Sequence, residues 1–184
     1  IQTAAGSPGG VVSDFAISNQ VRSNPGADST PAGQTDVSGL ITTDATWAKA
    51  NSPYNITGNT MVAEGVAVTI EPGVSVQFSA DRALQVNGTL VARGTGADPI
   101  TFSSAIAYAQ GVHRGAVHLT RLSASAQYDS SGTYVSGTIL EHARFVNMGY
   151  TQGPDSGDAA TGGAVVLDTV SPLIDHCVFE RNTG

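Results

Sequence analysis

The chain reads as an all-β solenoid, on three observations: short alternating apolar runs, turn residues that close each run, and an internal repeat. The clearest stretch runs from Glu64 to Ser103. There Val66, Val68 and Ile70 share one face, as do Val74, Val76 and Phe78. Leu84 with Val86, Leu90 with Ala92, and Ile100 with Phe102 continue the pattern. Alternation over four to six residues marks a half-buried strand, because successive side chains point to opposite faces. Strands this short, closed by Gly, Asn, Asp or Pro, suit a chain that turns a corner every few residues.

Taken in order, residues 1–38 read as an irregular leader rich in Gly, Ser and Pro. A segment so poor in apolar residues cannot offset its ordering entropy alone, so it is ordered only against something else. One island interrupts it, Val11 to Ser18, where Phe15 and Ile17 alternate with smaller or polar neighbours. Residues 39–55 hold Trp47, the single Trp, and Lys49, the single Lys. Trp47 is expected to cap the open end of the first coil. From Ile56 the coils are expected to begin, making residues 39–184 the second unit.

Two later segments align. Leu140-Glu141-His142-Ala143-Arg144-Phe145 matches Ile174-Asp175-His176-Cys177-Val178-Phe179 at an offset of 34 residues. Val117/Leu119 and Val165/Leu167 supply a second matched strand. A shorter spacing, about 16 to 24 residues, is inferred from Val68–Leu84 and Phe78–Phe102. The surplus falls in polar insertions at Ala105–Arg114, Arg121–Gly132 and Met148–Gly162, which are expected to project from one side.

Composition excludes several function classes. The formal net charge is -7, and charged residues are 12% of the chain, about half the usual share. Binding to nucleic-acid phosphates or anionic lipid is not expected of such a chain. No apolar stretch approaches the ~20 residues that span a bilayer. Few Lys and many Ser, Thr, Asn and Gly point to an extracellular or cell-surface location, with this sequence as the mature form. The single cysteine, Cys177, makes no internal disulfide and reads as a small buried hydrophobe.

The stretch GVAVTIEPGVSVQF followed by LQVNGTLVARGTGADPITFSS resembles the entry coils of right-handed parallel β-helix repeat proteins. SPLIDHCVFERN is similar to their later coils. The resemblance covers roughly residues 39–184 and implies a right-handed parallel β-helix with an irregular N-terminal leader. The family includes secreted and surface-attached bacterial proteins. For function it leaves polysaccharide lyases, glycosidases, adhesins and structural proteins open.

Candidate chemistry is sparse. His142 and His176 occupy equivalent corners and should stack if their coils are neighbours. Beside Glu141 and Asp175 they form an incomplete metal-ligand set or a base; the plainer reading is a polar corner ladder. His118 should face outward, and His113 and Arg114 fall in an insertion. Lyases of the resembled fold look to Lys or Arg for the base, often with Ca²⁺, and hydrolases to closely spaced aspartates. The coil-borne Arg residues have no Asp cluster beside them. Asp155 and Asp158, in the loop GPDSGD, are weak candidate Ca²⁺ ligands without the full series of oxygen donors. No cofactor is expected otherwise. Asn55-Ile56-Thr57 and Asn87-Gly88-Thr89 match the N-glycosylation pattern.

The sequence stops in mid-coil after Phe179 and Asn182. Either a longer protein continues it, or a neighbouring subunit covers the open end, with Phe15 and Ile17 as an added strand. The expected function is an extracellular structural or adhesive element, acting through self-association or contact with surface glycans. The alternative is a carbohydrate-active enzyme.

Overall fold

The computed structural model describes residues 33–105, 114–149 and 163–183. They form sixteen β-strands and one 3₁₀ turn, Lys49–Asn51. β1 (Thr35–Ile41) lies beside the first full pass of the chain, β2 (Ala45–Trp47) and β3 (Tyr54–Val62). The next pass is β4 (Ala67–Ile70), β5 (Ser75–Phe78) and β6 (Ala83–Val86). A third follows with β7 (Thr89–Arg93), β8 (Ile100–Ser104) and β9 (Ala116–Leu119). The pair β10 (Gln127–Tyr128) and β11 (Tyr134–Ser136) interrupts the series. Then come β12 (Ile139–Glu141), β13 (Ala143–Val146) and β14 (Val165–Leu167), and finally β15 (Leu173–Asp175) and β16 (Val178–Glu180).

Strands of successive passes pair in parallel along three ladders. One is β2-β4-β7-β12-β15. The other two, β5-β8-β13-β16 and β6-β9-β14, are joined because β3 pairs β5 with its first half and β6 with its second. The chain is therefore all-β, with parallel strands in curled sheets. The alternation read from the sequence explains the burial. Val68, Ile70, Val76, Phe78, Leu84 and Val86 are buried, while Thr69, Gln77 and Gln85 between them stay partly exposed. The buried residues of all three ladders make one core cluster.

The repeat at an offset of 34 sets the register of the last passes: Leu140 pairs with Ile174, and Phe145 with Phe179. Val117 pairs with Val165 and Leu119 with Leu167, as the second match requires. The shorter spacing needs correction. Val68 pairs with Leu90, since Leu84 belongs to another ladder. Phe102 lies beside Val76, and Phe78 beside Ser104. Both Val76 and Phe78 point inward, so alternation alone could not choose between them. The leader boundary also moves. β1 begins at Thr35, inside the segment read as 1–38, because Val37 pairs with Ile56 and Asp36 accepts a bond from the Asn55 amide at 3.2 Å.

The insertion Arg121–Gly132 does not simply project. It leads into the β10–β11 hairpin, and Ala124 N–H donates to the Gly88 carbonyl while Ala126 N–H donates to that of Ser171. Ile139, fully buried yet outside the core cluster, lies on the side this hairpin covers.

Gly88 shows how tightly the passes approach. A Cβ there would lie 2.1 Å from the Val66 carbonyl oxygen and 2.4 Å from that of Ala63. Backbone atoms cannot rotate aside, so Gly88→Ala is expected to cost about 2 kcal/mol, read as a lowered urea midpoint.

Candidate functional site

The corner that joins the β2-β4-β7-β12-β15 ladder to its neighbour gathers the most chemistry. β12 ends at Glu141, and His142 turns the chain into β13 with φ of 46°; His176 does the same between β15 and β16 with φ of 49°. Positive φ is uncommon for a side-chain-bearing residue, and His is among those that tolerate it. Parallel register then stacks the two imidazoles, with centroids 4.7 Å apart and planes 29° apart. The backbone secures the corner: Ile100 N–H donates to the His142 carbonyl, and His142 N–H to that of Asp175.

Around the stack the charges are paired. Arg93 Nε donates to Glu141 Oε2 at 2.7 Å, and His176 Nδ1 lies 2.9 Å from Asp175 Oδ2. Arg93 also lies 5.7 Å from the Tyr134 ring centroid. Cys177, half-buried, donates its thiol to the Leu140 carbonyl at 3.3 Å, and burial pushes that thiol's pKa up. A protonated, desolvated thiol is a poor nucleophile. Among the described residues no three of His, Cys, Asp or Glu converge on a metal position. His142 and His176 are thus a stacked pair that belongs to no group of three such residues among those described. Asp155 and Asp158 lie outside the described residues, as do Phe15, Ile17 and His113.

A corner ladder predicts its own tolerance. His142→Asn, which also accepts positive φ, should leave the unfolding midpoint within about 0.5 kcal/mol. His142→Val should lose about 1–2 kcal/mol through backbone strain. Equal losses in the two variants would mean that the imidazole itself is needed.

The other candidates lie apart from this corner. His118 is on the outer side of β9, beside Gln85. Trp47 is buried and stacks on Tyr54 with centroids 5.0 Å apart. Asn55 is only 8% exposed with its amide bonded to Asp36, so the acceptor nitrogen of its glycosylation motif is already engaged in the fold. Asn87 accepts from Thr120 Oγ1 at 2.9 Å. Asn182 works within the chain: its Oδ1 accepts from Met148 N–H and its Nδ2 donates to the Phe145 carbonyl, both at 2.8 Å. Phe179 ends a stack, 4.8 Å from Phe145, which is 4.9 Å from Phe102.

Arg114 is the residue that the sequence misplaced. Read as part of a polar insertion, it is 1% exposed. It donates to Asn147 Oδ1, to the Met148 carbonyl at 3.5 Å and to Thr183 Oγ1 at 2.8 Å. One cation just before β9 thus reaches the segments that follow β13 and β16. Two concavities open on the surface of the described residues. One, of about 540 Å³, is lined by Leu40, Asn59, Met61, Ala83 and Gln85 among others, without a charged residue. The other, of about 230 Å³, includes Asp36, Asn55 and Gln77.

With three parallel ladders and one core described, comparison with known proteins becomes decisive. The pectate-lyase-like beta helix domain matches residues 39–143. The chain belongs to this family. Within the family's matched span lie β2 to β12 and the His142 corner. A curated relative, Protein bark beetle of Drosophila melanogaster, is 36% identical over 66 residues. That match covers 36% of this chain and only 2% of the fly protein. No solved structure matches the chain. Among the described residues no helix is long and apolar enough to cross a membrane.

Proposed function

We propose that this beta-helix chain is an extracellular structural or adhesive element, a right-handed parallel β-helix serving as a subunit of a surface filament or sheath. The reading rests on how the charged side chains are spent. Arg93–Glu141, Arg144–Glu180 and Lys49–Asp98 each tie one pass to another, at 2.7, 3.1 and 2.7 Å. Arg114 ties three passes together. Exposed pairs contribute little stability each, but their arrangement across the passes suits a rod that resists separation of its coils. Subunits associate with one another, and surface glycans are the other contact class.

Electron microscopy of native material tests this reading. Filaments with an axial repeat of one subunit support it, and dispersed particles at all concentrations overturn it. A second reading, a carbohydrate-active enzyme, is favoured by family membership and by the 540 Å³ trough on the outer face. Turnover of uronic-acid or neutral polysaccharides, with or without Ca²⁺, would establish that reading instead.

A further inference from the structure

The trough of about 540 Å³ is set apart by the chemistry of its lining. It spans three paired strands, β1, β3 and β6, and β9 pairs with β6 beyond it. Alternation turns Met61 and Gln85 outward, while Thr60, Val62, Leu84 and Val86 go into the core. Leu40, Met61 and Gln85 therefore stand side by side in register, and His118 continues the row. On the other ladders outward charges meet in pairs, such as Arg93 with Glu141 and Arg144 with Glu180. The trough is lined by none. Two of its amides keep hydrogen-bonding capacity. Asn59 is exposed, and its side chain has no hydrogen-bond partner among the described residues. Gln85 Nε2 donates to Asn87 Oδ1 at 3.2 Å, which leaves Gln85 Oε1 to accept from a ligand. Leu40, Met61 and Ala83 supply apolar surface beside these groups.

Resting on the reading that surface glycans contact this chain, we propose that the trough binds a neutral glycan. A pyranose ring carries both matching surfaces, a face of C–H groups and a rim of hydroxyls. The C–H face covers Leu40, Met61 and Ala83. The hydroxyls donate to Gln85 Oε1 and exchange bonds with the Asn59 amide, which offers two donors and one acceptor. Mostly apolar lining with a few placed polar groups is the usual make-up of a ligand cleft, and the volume falls in its range. An acidic polymer fits poorly. Its carboxylates would enter a site lined by no cation, on a chain of net charge -7. An acyl chain would cover both amides without pairing them, which costs free energy. The row from Leu40 to His118 crosses four strands, so a polymer segment laid along it meets one of these side chains on each.

Affinity electrophoresis of the full chain tests the proposal, in gels holding soluble glucan, xylan, galactomannan or, as the acidic counterpart, polygalacturonate. At least one neutral polymer should retard the unsubstituted chain, and polygalacturonate should not. The double variant Asn59→Ala with Gln85→Ala should bind that polymer about tenfold more weakly. Gln77→Ala, which alters the other concavity, should leave binding unchanged. Circular dichroism checks that each variant folds. Equal retardation of the double variant would remove the trough as the site, while glycan contact elsewhere would stand. Retardation by polygalacturonate alone, or by no polymer, overturns the proposal. Neither result decides whether the chain forms filaments, which electron microscopy reads separately.

Discussion

Phe145→Ala should lower stability by about 3–5 kcal/mol. Phe145 is fully buried and sandwiched, with Phe102 at 4.9 Å on one side and Phe179 at 4.8 Å on the other. Both distances match the spacing that backbone hydrogen bonds impose between neighbouring strands. The strands on either side therefore cannot close on the vacated space, and the cavity stays open. Two offset ring contacts are lost as well, each contributing about 0.5–1.5 kcal/mol beyond burial. Phe179→Ala removes the same side chain from a half-exposed position with one ring neighbour, so its cost should be nearer 1–2 kcal/mol. Urea unfolding of the two variants measures the difference. Equal losses would show that the stack does not act as a continuous core.

How much of this was legible in the sequence depends on what carried each signal. The inward rows were legible because a period of two is written directly in residue type; Val66 to Phe78 is the plainest case. The His142/His176 stack was legible too, since parallel pairing turns a repeat along the chain into a contact at 4.7 Å. Register between unlike passes was not. Phe102 had two inward candidates, Val76 and Phe78, and only the length of the intervening corner chose the first. β1 was hidden because its apolar residues are few: Val37, Leu40 and Ile41 are spread over a strand with a register shift between Val37 and Gly39. The β10–β11 hairpin was hidden because its strands are only two and three residues long, too short for an alternating pattern to register.

The candidate site divided along the same line. Glu141, Asp175 and the two histidines were found because they recur at equivalent positions. The pairing of Glu141 with Arg93 was not readable, since that partner lies one pass away, at a distance along the chain set by the insertion between them. Arg114 was the clearest failure. It sits in a polar stretch beside His113 and Gly115, and composition there gives no hint that the guanidinium turns inward.

Arg114→Met should therefore lower stability by about 2–4 kcal/mol although it replaces a polar residue with an apolar one of similar length. The gain in apolar character does not offset what is stranded. Asn147 Oδ1, the Met148 carbonyl and Thr183 Oγ1 all lose a charged donor, and a hydrogen bond to a charged group contributes about 1.5–3 kcal/mol. Arg114→Lys keeps the charge but replaces the planar fork with one point donor, so it should recover only part of the loss. The cation joins the segment before β9 to those after β13 and β16, so the damage should also spread along the ladders. Hydrogen exchange should show lost protection at Thr183 N–H, which donates to the Met148 carbonyl, and at Asn147 N–H, which donates to that of Glu180. Protection between β4 and β7 should hold, since Arg114 touches neither. In a double-mutant cycle, Arg114→Met with Thr183→Ala should fall short of additivity by more than about 0.5 kcal/mol. Additive losses, with exchange unchanged after β16, would confine Arg114 to a local contact at its own corner. Coupling would make Arg114 a residue through which the passes of β9, β13 and β16 gain or lose their order together.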